Sequence, residues 1–320
     1  MSEPRPICLI ARRIPAAGGD RIAERCEVRE GGPAATPDLL RELAPGAAAI
    51  VTDPTVAVGP ELLDAAGPGL KLVANFAVGY DNVDLDACRE RGVIATNTPD
   101  VLTDATAELA LALTLAAARG LPAAERRLRD GEWKGFDTTG DLGTGLSGAT
   151  FGIVGMGRIG RRYAELVRPL AGSILYTARN PKPEAEAALG AELAELAQLL
   201  SGADVVSVHA AATPETTGMI GARELESMRP GAILVNTARG SLVDSAALAA
   251  ALDAGTIAAA GLDVYENEPD VAPELLAAPN CVLLPHVGSA TTGARDAMAG
   301  LVADAVVAVL DGREPPNRLV

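Results

Sequence analysis

A glycine-rich turn near the middle of the chain constrains the fold more than any other feature. Gly155, Gly157 and Gly160 form the pattern GxGxxG within "FGIVGMGRIGRR", residues 151–162. The apolar run before the turn predicts a strand, and the run after it predicts a helix that begins near Arg158. This order favours a dinucleotide-binding unit, in which the three glycines allow the tight bend, the close approach of a pyrophosphate and the packing of helix on strand. The free N–H groups at the start of the helix would face the pyrophosphate.

The turn comes late, because nearly half of the 320 residues precede it. Before residue 100, short apolar runs alternate with helical patterns, and the predicted strands are "ICLIA", "AAAIVTD", "LKLVANF" and "GVIATN". From Asp100 to about Arg129 the pattern predicts one long helix. A second series then begins, with "TFGIVG", "SILYT", "ADVVSVH", "GAILVNT", "IAAAGLDV" and "CVLLPH" as strands, and a last helix follows Ser289. Alternating strands and helices predict parallel sheets.

Two α/β parallel-sheet domains follow from this pattern. We expect residues 1–99 and 289–320 to form one domain and residues 100–288 to form the dinucleotide-binding domain. A separate domain before the glycine turn explains why the turn comes late, and the last helix would pack back on the first domain.

Composition excludes several functional classes. The formal net charge is −15, so phosphate backbones would be repelled and no nucleic-acid partner is expected. No segment approaches the ~18 uninterrupted apolar residues of a membrane span, and the N-terminal apolar run is too short for a signal peptide. The four cysteines show no CxxC spacing, which predicts neither a disulfide framework nor a zinc site. These observations predict a cytoplasmic protein without a membrane partner.

The residues that follow the second strand of the dinucleotide unit indicate which cofactor it takes. An Asp or Glu usually stands there and binds the ribose 2′-hydroxyl of NAD. In "SILYTARNPKPE" the place is held by Ala178, Arg179 and Asn180, and the first acid is Glu184. Arginine binds phosphate in a bidentate manner, so the sequence favours NADP(H). A solvated Arg179 would leave NAD(H) open.

Polar residues that could perform chemistry follow several predicted strands. The chain has two histidines, His209 and His286, each at the carboxyl end of a strand, where open α/β sheets bind ligands. Arg239 follows another strand, and Glu266 and Glu268 follow a fourth. Histidine can exchange a proton near neutral pH, as hydride transfer to a carbonyl requires. Together they predict a metal-independent reaction centre for a 2-oxo acid. Spacing alone leaves open which histidine and which carboxylate act.

Five segments also carry a resemblance to a known family. "NTARGSLVD", "AGLDVYENEP" and "LLPHVGSAT" resemble the signatures of the D-isomer-specific 2-hydroxyacid dehydrogenases. "NFAVGYDNVDL" and "TNTPDVLTDATAELALAL" are similar to segments of the glyoxylate/hydroxypyruvate reductase branch. The resemblance covers nearly the whole chain in order. It implies two Rossmann-like domains, with the cofactor domain inserted into a flavodoxin-like substrate domain.

The resemblance also implies roles for individual residues. The catalytic arginine, glutamate and histidine of the family fall on Arg239, Glu268 and His286, and the substrate would contact Val78 and Gly79 together with Arg239 and His286. His209 falls beside the cofactor. The implied cofactor contacts are Thr106, Gly155, Met156, Gly157, Arg158, Ile159, Gly160, Ala178, Arg179, Asn180, His209, Ala210, Thr237, Ala238, Arg239, Asp263, His286 and Gly288.

The function implied is the NADPH-preferring reduction of glyoxylate or hydroxypyruvate to glycolate or D-glycerate. An NAD-linked dehydrogenase for a larger 2-oxo acid is the first alternative, and a non-enzymatic dinucleotide-sensing protein is the second. The segment "KGFDTTGDLGTGLSGA" departs from the tryptophan-rich loop of some hydroxypyruvate reductases, although Trp133 and Phe136 lie close by. In the family this region belongs to a dimer contact, so a homodimer is expected, while the choice among small 2-oxo acids stays open.

Overall fold

The computed structural model describes residues 5–320, which divide into two compact α/β units. Unit 1 contains the chain up to Leu102 together with Ser289–Val320, and unit 2 is Thr103–Gly288. The first boundary therefore lies after Leu102, later than the expected position between residues 99 and 100, because the residues before Thr103 form a turn that precedes the helix.

Unit 1 is built on a five-stranded parallel sheet with the order β2-β1-β3-β4-β5. This is the flavodoxin-like order. The strands are β1 (Ile7–Ile10), β2 (Glu27–Glu30), β3 (Ala47–Thr52), β4 (Leu72–Asn75) and β5 (Ile94–Thr96). The helices before the chain leaves this unit are α1 (Ala16–Arg25), α2 (Pro37–Leu43), α3 (Pro60–Ala66) and α4 (Leu85–Glu90). Buried aliphatic side chains from the sheet and these helices form its core.

Unit 2 is built on a seven-stranded parallel sheet with the order β12-β11-β10-β9-β6-β7-β8. Its strands are β6 (Ala149–Val154), β7 (Ala171–Thr177), β8 (Ala191–Leu193), β9 (Val205–Val208), β10 (Ile233–Asn236), β11 (Ala259–Leu262) and β12 (Cys281–Leu283). Its helices are α5 (Thr103–Ala118), α6 (Leu121–Arg129), α7 (Arg158–Val167), α8 (Pro183–Leu189), α9 (Leu196–Gly202), α10 (Ala222–Ser227), α11 (Ser245–Asp253) and α12 (Pro273–Ala277). The prediction of two parallel-sheet α/β domains is confirmed.

The single long helix predicted after Asp100 is wrong, because α5 and α6 are separate and bent by 66°. Gly120 lies between them with a left-handed φ of 56°, a conformation that ends a helix, and Pro122 then starts the next one. No single helix within residues 5–320 is long and apolar enough to cross a membrane. The bent pair α5 and α6 meets that length and composition only jointly.

The last helix, α13 (Thr292–Leu310), belongs to unit 1 and packs on α1. Gly18 makes this packing close, since a Cβ atom there would lie 2.1 Å from the carbonyl oxygen of Ala299. Arg21 and Arg25 of α1 form ion pairs with Asp304 and Asp311 along the same contact. The chain therefore returns to its first unit at its end.

Candidate active site

Three predicted catalytic residues follow neighbouring strands of unit 2. Arg239 comes after β10, Glu268 lies in the loop after β11, and His286 comes after β12. These strands are adjacent in the order β12-β11-β10 and run parallel. Their carboxyl ends therefore share one edge of the sheet, where α/β sheets bind ligands.

Glu268 and His286 form a close pair at this edge. The Nδ1 atom of His286 lies 2.6 Å from Oε2 of Glu268, and the two side chains are 32% and 19% exposed, His286 first. Burial alone would raise the pKa of Glu268, but its hydrogen bond and charge interaction with His286 outweigh burial, so the pKa is lowered. Glu266 lies elsewhere: its carboxylate accepts a hydrogen bond from the backbone N–H of Ser245. Of the two carboxylates left open by spacing, the structure places Glu268 on His286.

The backbone of His286 is held by a buried aspartate. His286 has a left-handed φ of 54°, a conformation that few residues other than glycine adopt. The carboxylate of Asp263 accepts hydrogen bonds from the N–H groups of Val287 and Gly288, at 2.8 and 2.7 Å. Asp263 is 1% exposed, and this burial raises its pKa. The two oxygens of Asp263 thus fix the turn that carries His286, and its contact with the cofactor stays a prediction.

The turn that carries Arg239 is held in the same manner. Asn236, at the end of β10, accepts a hydrogen bond from the N–H of Ala238 and donates one to the carbonyl oxygen of Arg239. Gly240 packs directly on the next loop, since a Cβ there would lie 1.9 Å from the carbonyl carbon of Tyr265. This contact brings the two loops together, and the positive charge of Arg239 contributes to the lowered pKa of Glu268.

Tyr265 is a residue of the site that the sequence reasoning missed. Its hydroxyl donates a hydrogen bond to the carbonyl oxygen of Leu284, at 2.8 Å, and its backbone N–H donates to Oε1 of Glu268, at 2.9 Å. It thereby ties the loop of Glu268 to the strand that leads to His286. The available signal was its position in "AGLDVYENEP", as the one aromatic residue among the acids.

We expect the Glu268→Gln substitution to lower the free energy of unfolding in a pH-dependent manner, because it removes the negative charge of this pair. A carboxyl whose pKa is lowered on folding stabilises the native state above its ordinary pKa, and this contribution is lost as the pH falls through the lowered value. The variant should therefore unfold at lower urea concentration than the parent near pH 7, and the difference should shrink below about pH 4. Glu266→Gln is the matched control, and a difference that stays constant with pH would contradict the expectation.

The glycine turn has the shape that a dinucleotide requires. Gly155 has a φ of 99°, and a Cβ there would lie 2.7 Å from the backbone nitrogen of Ala210. A Cβ on Gly160 would lie 2.1 Å from the carbonyl oxygen of Gly155, which explains why α7 can pack so closely on the turn. Gly157, by contrast, has no atom within 4 Å of such a position among the described residues. Gly157, the N-cap residue of α7, has no side chain that could cap the helix, and the start of such a helix favours an anion.

Two further predicted cofactor contacts support this fit. The hydroxyl of Thr237 is buried and has no hydrogen-bond partner within residues 5–320, and a buried polar group of this kind calls for a partner from outside the chain. Thr106 lies against Gly288, where an added Cβ would be 3.5 Å from its side chain. Both are polar groups among the predicted cofactor contacts. We conclude that the residues present fit a dinucleotide.

The end of β7 is where the second ribose of the dinucleotide would be recognised. Arg179 and Asn180 are exposed there, and Ala178 is partly buried. Glu184 is paired with Arg161 of α7 at 2.8 Å. A hydrogen bond with Thr213 chiefly lowers the pKa of Glu215, and the positive charge of Arg179 contributes. Arg179 is thus a cation next to the loop after β9.

Val78 and Gly79, the predicted substrate-carboxylate contacts, lie in unit 1 after β4. Both carbonyl oxygens accept hydrogen bonds within that unit, from the side-chain amides of Asn97 and Asn75, at 2.8 Å. Neither backbone N–H of this pair donates to a backbone carbonyl oxygen among the described residues. The loop thus holds two donors for an anion. Within residues 5–320, no group of three or more His, Cys, Asp or Glu residues is placed to hold a metal ion.

Comparison with known proteins gives one consistent family. Residues 111–288 match the family described as D-isomer specific 2-hydroxyacid dehydrogenase, NAD binding domain. The chain is 47% identical to the glyoxylate reductase of Thermococcus litoralis, over 98% of this chain and 96% of that protein. The TT0316 protein of Thermus thermophilus is similar in structure, with 43% identity, a TM-score of 0.92 and coverage of 98% of this chain and 100% of that one.

A second similar structure contains a cofactor. It is the NADPH-dependent glyoxylate/hydroxypyruvate reductase from Sinorhizobium meliloti, in complex with NADP and malonate, at 37% identity and a TM-score of 0.86. The match covers 99% of this chain and 97% of that one. The matches to sequence and structure span almost the whole chain, including the segments that carry Arg239, Glu268 and His286. The chain therefore belongs to the D-isomer specific 2-hydroxyacid dehydrogenase family.

Proposed function

We propose that this dehydrogenase reduces glyoxylate, hydroxypyruvate or both, with a reduced nicotinamide dinucleotide as the hydride donor. The observation that carries the proposal is the pairing of His286 with Glu268 at 2.6 Å, at the sheet edge shared with Arg239. The names of the relatives support the substrate class, since glyoxylate reductases of 42–47% identity cover nearly the whole chain.

The residues of the site divide the work of reducing a 2-oxo acid. When bound, the reduced nicotinamide supplies the hydride for carbon 2 of the substrate. Arg239 binds the substrate carboxylate and polarises the 2-carbonyl group, because its planar guanidinium can donate two parallel hydrogen bonds. His286 gives its proton to the carbonyl oxygen as negative charge develops there. Glu268 holds the ring through Nδ1, which leaves Nε2 to face the substrate.

Consumption of NADPH or NADH with glyoxylate and hydroxypyruvate, followed by absorbance, tests the proposal. Turnover that is fastest with these two acids supports it. Faster turnover with 2-oxo acids of longer side chain would favour the alternative of a dehydrogenase for larger substrates. Dinucleotide binding without any turnover across the panel would favour a non-enzymatic sensing protein and overturn the proposal.

We further propose that NADP(H) is the preferred cofactor, and that NAD(H) binds more weakly. The proposal rests on the absence of a carboxylate at Ala178, Arg179 and Asn180, and on the engagement of Glu184 by Arg161. The similar Sinorhizobium meliloti enzyme is described as NADPH-dependent and was crystallised with NADP. A charge-assisted contact of Arg179 with the 2′-phosphate would contribute ~1.5–3 kcal/mol, or roughly a ten- to hundredfold preference.

Two substitutions should lower this preference to different extents. Arg179→Ala should remove most of the ratio of kcat/KM with NADPH to kcat/KM with NADH. Ala178→Asp should invert the ratio, because an aspartate repels the 2′-phosphate and accepts hydrogen bonds from the ribose hydroxyls. The matched control is Arg168→Ala, because Arg168 is exposed and lies at the C-terminal end of α7, away from the glycine turn. A parent enzyme that already favours NADH would show that Arg179 remains solvated.

We also propose that the protein is a homodimer that pairs through residues 121–142. This segment exposes large apolar side chains, with Phe136 91% and Leu142 79% exposed, and Leu128 and Trp133 more than half exposed. Exposed apolar clusters of this kind mark association surfaces. Sedimentation should show a dimer for the parent and mostly monomer for Phe136→Asp. Leu276→Asp, which alters an exposed leucine outside the segment, should remain dimeric. If both variants sediment as dimers, the dimer contact lies outside residues 121–142.

A further inference from the structure

The loop between β7 and α8, residues 178–182, is fixed at both of its ends. At its start, the carbonyl oxygen of Thr177 accepts a hydrogen bond from the N–H of Gly155 in the glycine turn, at 2.9 Å. At its end, the backbone N–H of Lys182 donates to the hydroxyl oxygen of Tyr176, at 2.7 Å. The first contact joins the loop to the glycine turn, and the second joins it to the side chain of a strand residue.

Tyr176 makes the second of these contacts from inside the core. It lies in β7, and its side chain is fully buried. Its hydroxyl donates to Oε1 of Glu186 in α8, at 2.6 Å. A phenol has one hydrogen, which goes to Glu186, so the oxygen is left to accept from Lys182. One hydroxyl therefore ties the end of the loop and the next helix to the strand on which the loop begins.

The loop has little conformational freedom between its two ends. Asn180 and Lys182 each precede a proline, Pro181 and Pro183. Proline fixes its own φ and restricts the residue before it to extended conformations. Arg179 lies in this loop and is exposed. The place of its backbone therefore depends on where the two ends of the loop are fixed.

We infer that Tyr176 is a positioning residue for cofactor discrimination, because its hydroxyl fixes the loop from which Arg179 binds the 2′-phosphate of NADP(H). The inference rests on the proposed preference for NADP(H). Tyr176 is buried and acts through Arg179. A bidentate contact with a phosphate requires an aligned guanidinium, and a loop that is fixed before the ligand arrives loses less conformational freedom on binding.

The other contacts of α8 differ from this one in kind. Glu184 pairs with Arg161 of α7, but its side chain is 84% exposed, and exposed ion pairs contribute little to stability. Ala185 and Leu189 pack into the apolar core of unit 2. Loss of the Tyr176 hydroxyl should therefore free the end of the loop while α8 stays in place.

Hydrogen exchange of the Lys182 amide, followed by NMR in the cofactor-free protein, tests the contact itself. Tyr176→Phe keeps the buried ring and removes the acceptor, so this amide should exchange roughly three- to tenfold faster. Tyr163→Phe is the matched control, because Tyr163 is the other fully buried tyrosine of unit 2 and its hydroxyl contacts Thr114. An unchanged exchange rate in Tyr176→Phe would overturn the inference.

Calorimetric titration with NADPH and with NADH tests the role of Tyr176 in discrimination. We expect Tyr176→Phe to bind NADPH about three- to tenfold more weakly than the parent, since one hydrogen bond is lost. The Kd for NADH, which lacks the 2′-phosphate, should stay within about twofold, as should both values in Tyr163→Phe. An equal loss for NADPH and NADH would show a merely structural role and would overturn the inference.

A double variant tests whether Tyr176 acts through Arg179. If it does, Tyr176→Phe combined with Arg179→Ala should bind NADPH no more weakly than Arg179→Ala alone. Additive losses would overturn the inference. A parent that binds NADPH no more tightly than NADH would overturn the proposed cofactor preference and this inference with it. A parent preference that Tyr176→Phe leaves intact would overturn this inference alone.

Discussion

Replacement of His286 by asparagine is expected to lower turnover by roughly two to four orders of magnitude, the usual cost of losing a general acid. Asparagine cannot deliver a proton at neutral pH. It tolerates the left-handed backbone of this position, where φ is 54°. Alanine would lose the same chemistry and add backbone strain, so the asparagine variant isolates the role of the ring. Turnover with glyoxylate under saturating cofactor is the measurement.

The binding of the dinucleotide provides the control for this variant. The His286 ring is held by Glu268 and not by the glycine turn or α7, so the Kd for NADPH should stay within a few-fold of the parent. A substitution at His209 should show the opposite pattern, with weaker cofactor binding and most of kcat retained. Near-normal turnover without His286, or a collapse of kcat confined to His209 variants, would exchange the roles of the two histidines.

The second large effect is expected at Arg239. Arg239→Lys keeps the positive charge but loses the planar pair of donors, so both KM for glyoxylate and kcat should worsen. Losing one charge-assisted hydrogen bond of about 1.5–3 kcal/mol corresponds to a roughly ten- to hundredfold fall in kcat/KM. The fall should be similar with hydroxypyruvate, because both substrates carry the carboxylate.

Arg168→Lys is the control for replacing an arginine by a lysine, since Arg168 is exposed and lies at the C-terminal end of α7. Calorimetry with NADPH should give a Kd within a few-fold of the parent for Arg239→Lys, because lysine keeps the positive charge, and this separates substrate binding from cofactor binding. If lysine supports the parent kcat/KM, then Arg239 acts as a simple charge and the bidentate carboxylate contact is wrong.

The sequence predicted the sheets well where strands are buried on both faces. β3, β4, β6 and β10 are continuous apolar runs, and each appears where such a run was seen. The strands missed were β2 and β8, which lie at the sheet edges and read "EVRE" and "AEL". An edge strand needs little apolar surface, so its sequence carries no clear period.

The site was predictable in part for a similar reason. Residues that follow strands, such as Arg239 and His286, can be located by order alone, because parallel strands end at one edge. The contact between Glu268 and His286 depends on the path of a loop, which periodicity does not describe. Asp263 and Tyr265 act through hydrogen bonds between segments distant in sequence, and no local pattern marks them.

The closing of unit 1 by α13 has a consequence for biosynthesis. As the ribosome releases the chain, Thr103–Gly288 is complete before Thr292–Leu310 has been made, so the inserted unit can fold while the outer unit still lacks a helix. Until then α1 presents Gly18 and its neighbours to solvent without the surface that covers them. In a nascent chain arrested before α13, Thr103–Gly288 should therefore resist protease, while the residues up to Leu102 should be cleaved rapidly. Formation of α13 is therefore the step that completes the packing around α1 in unit 1.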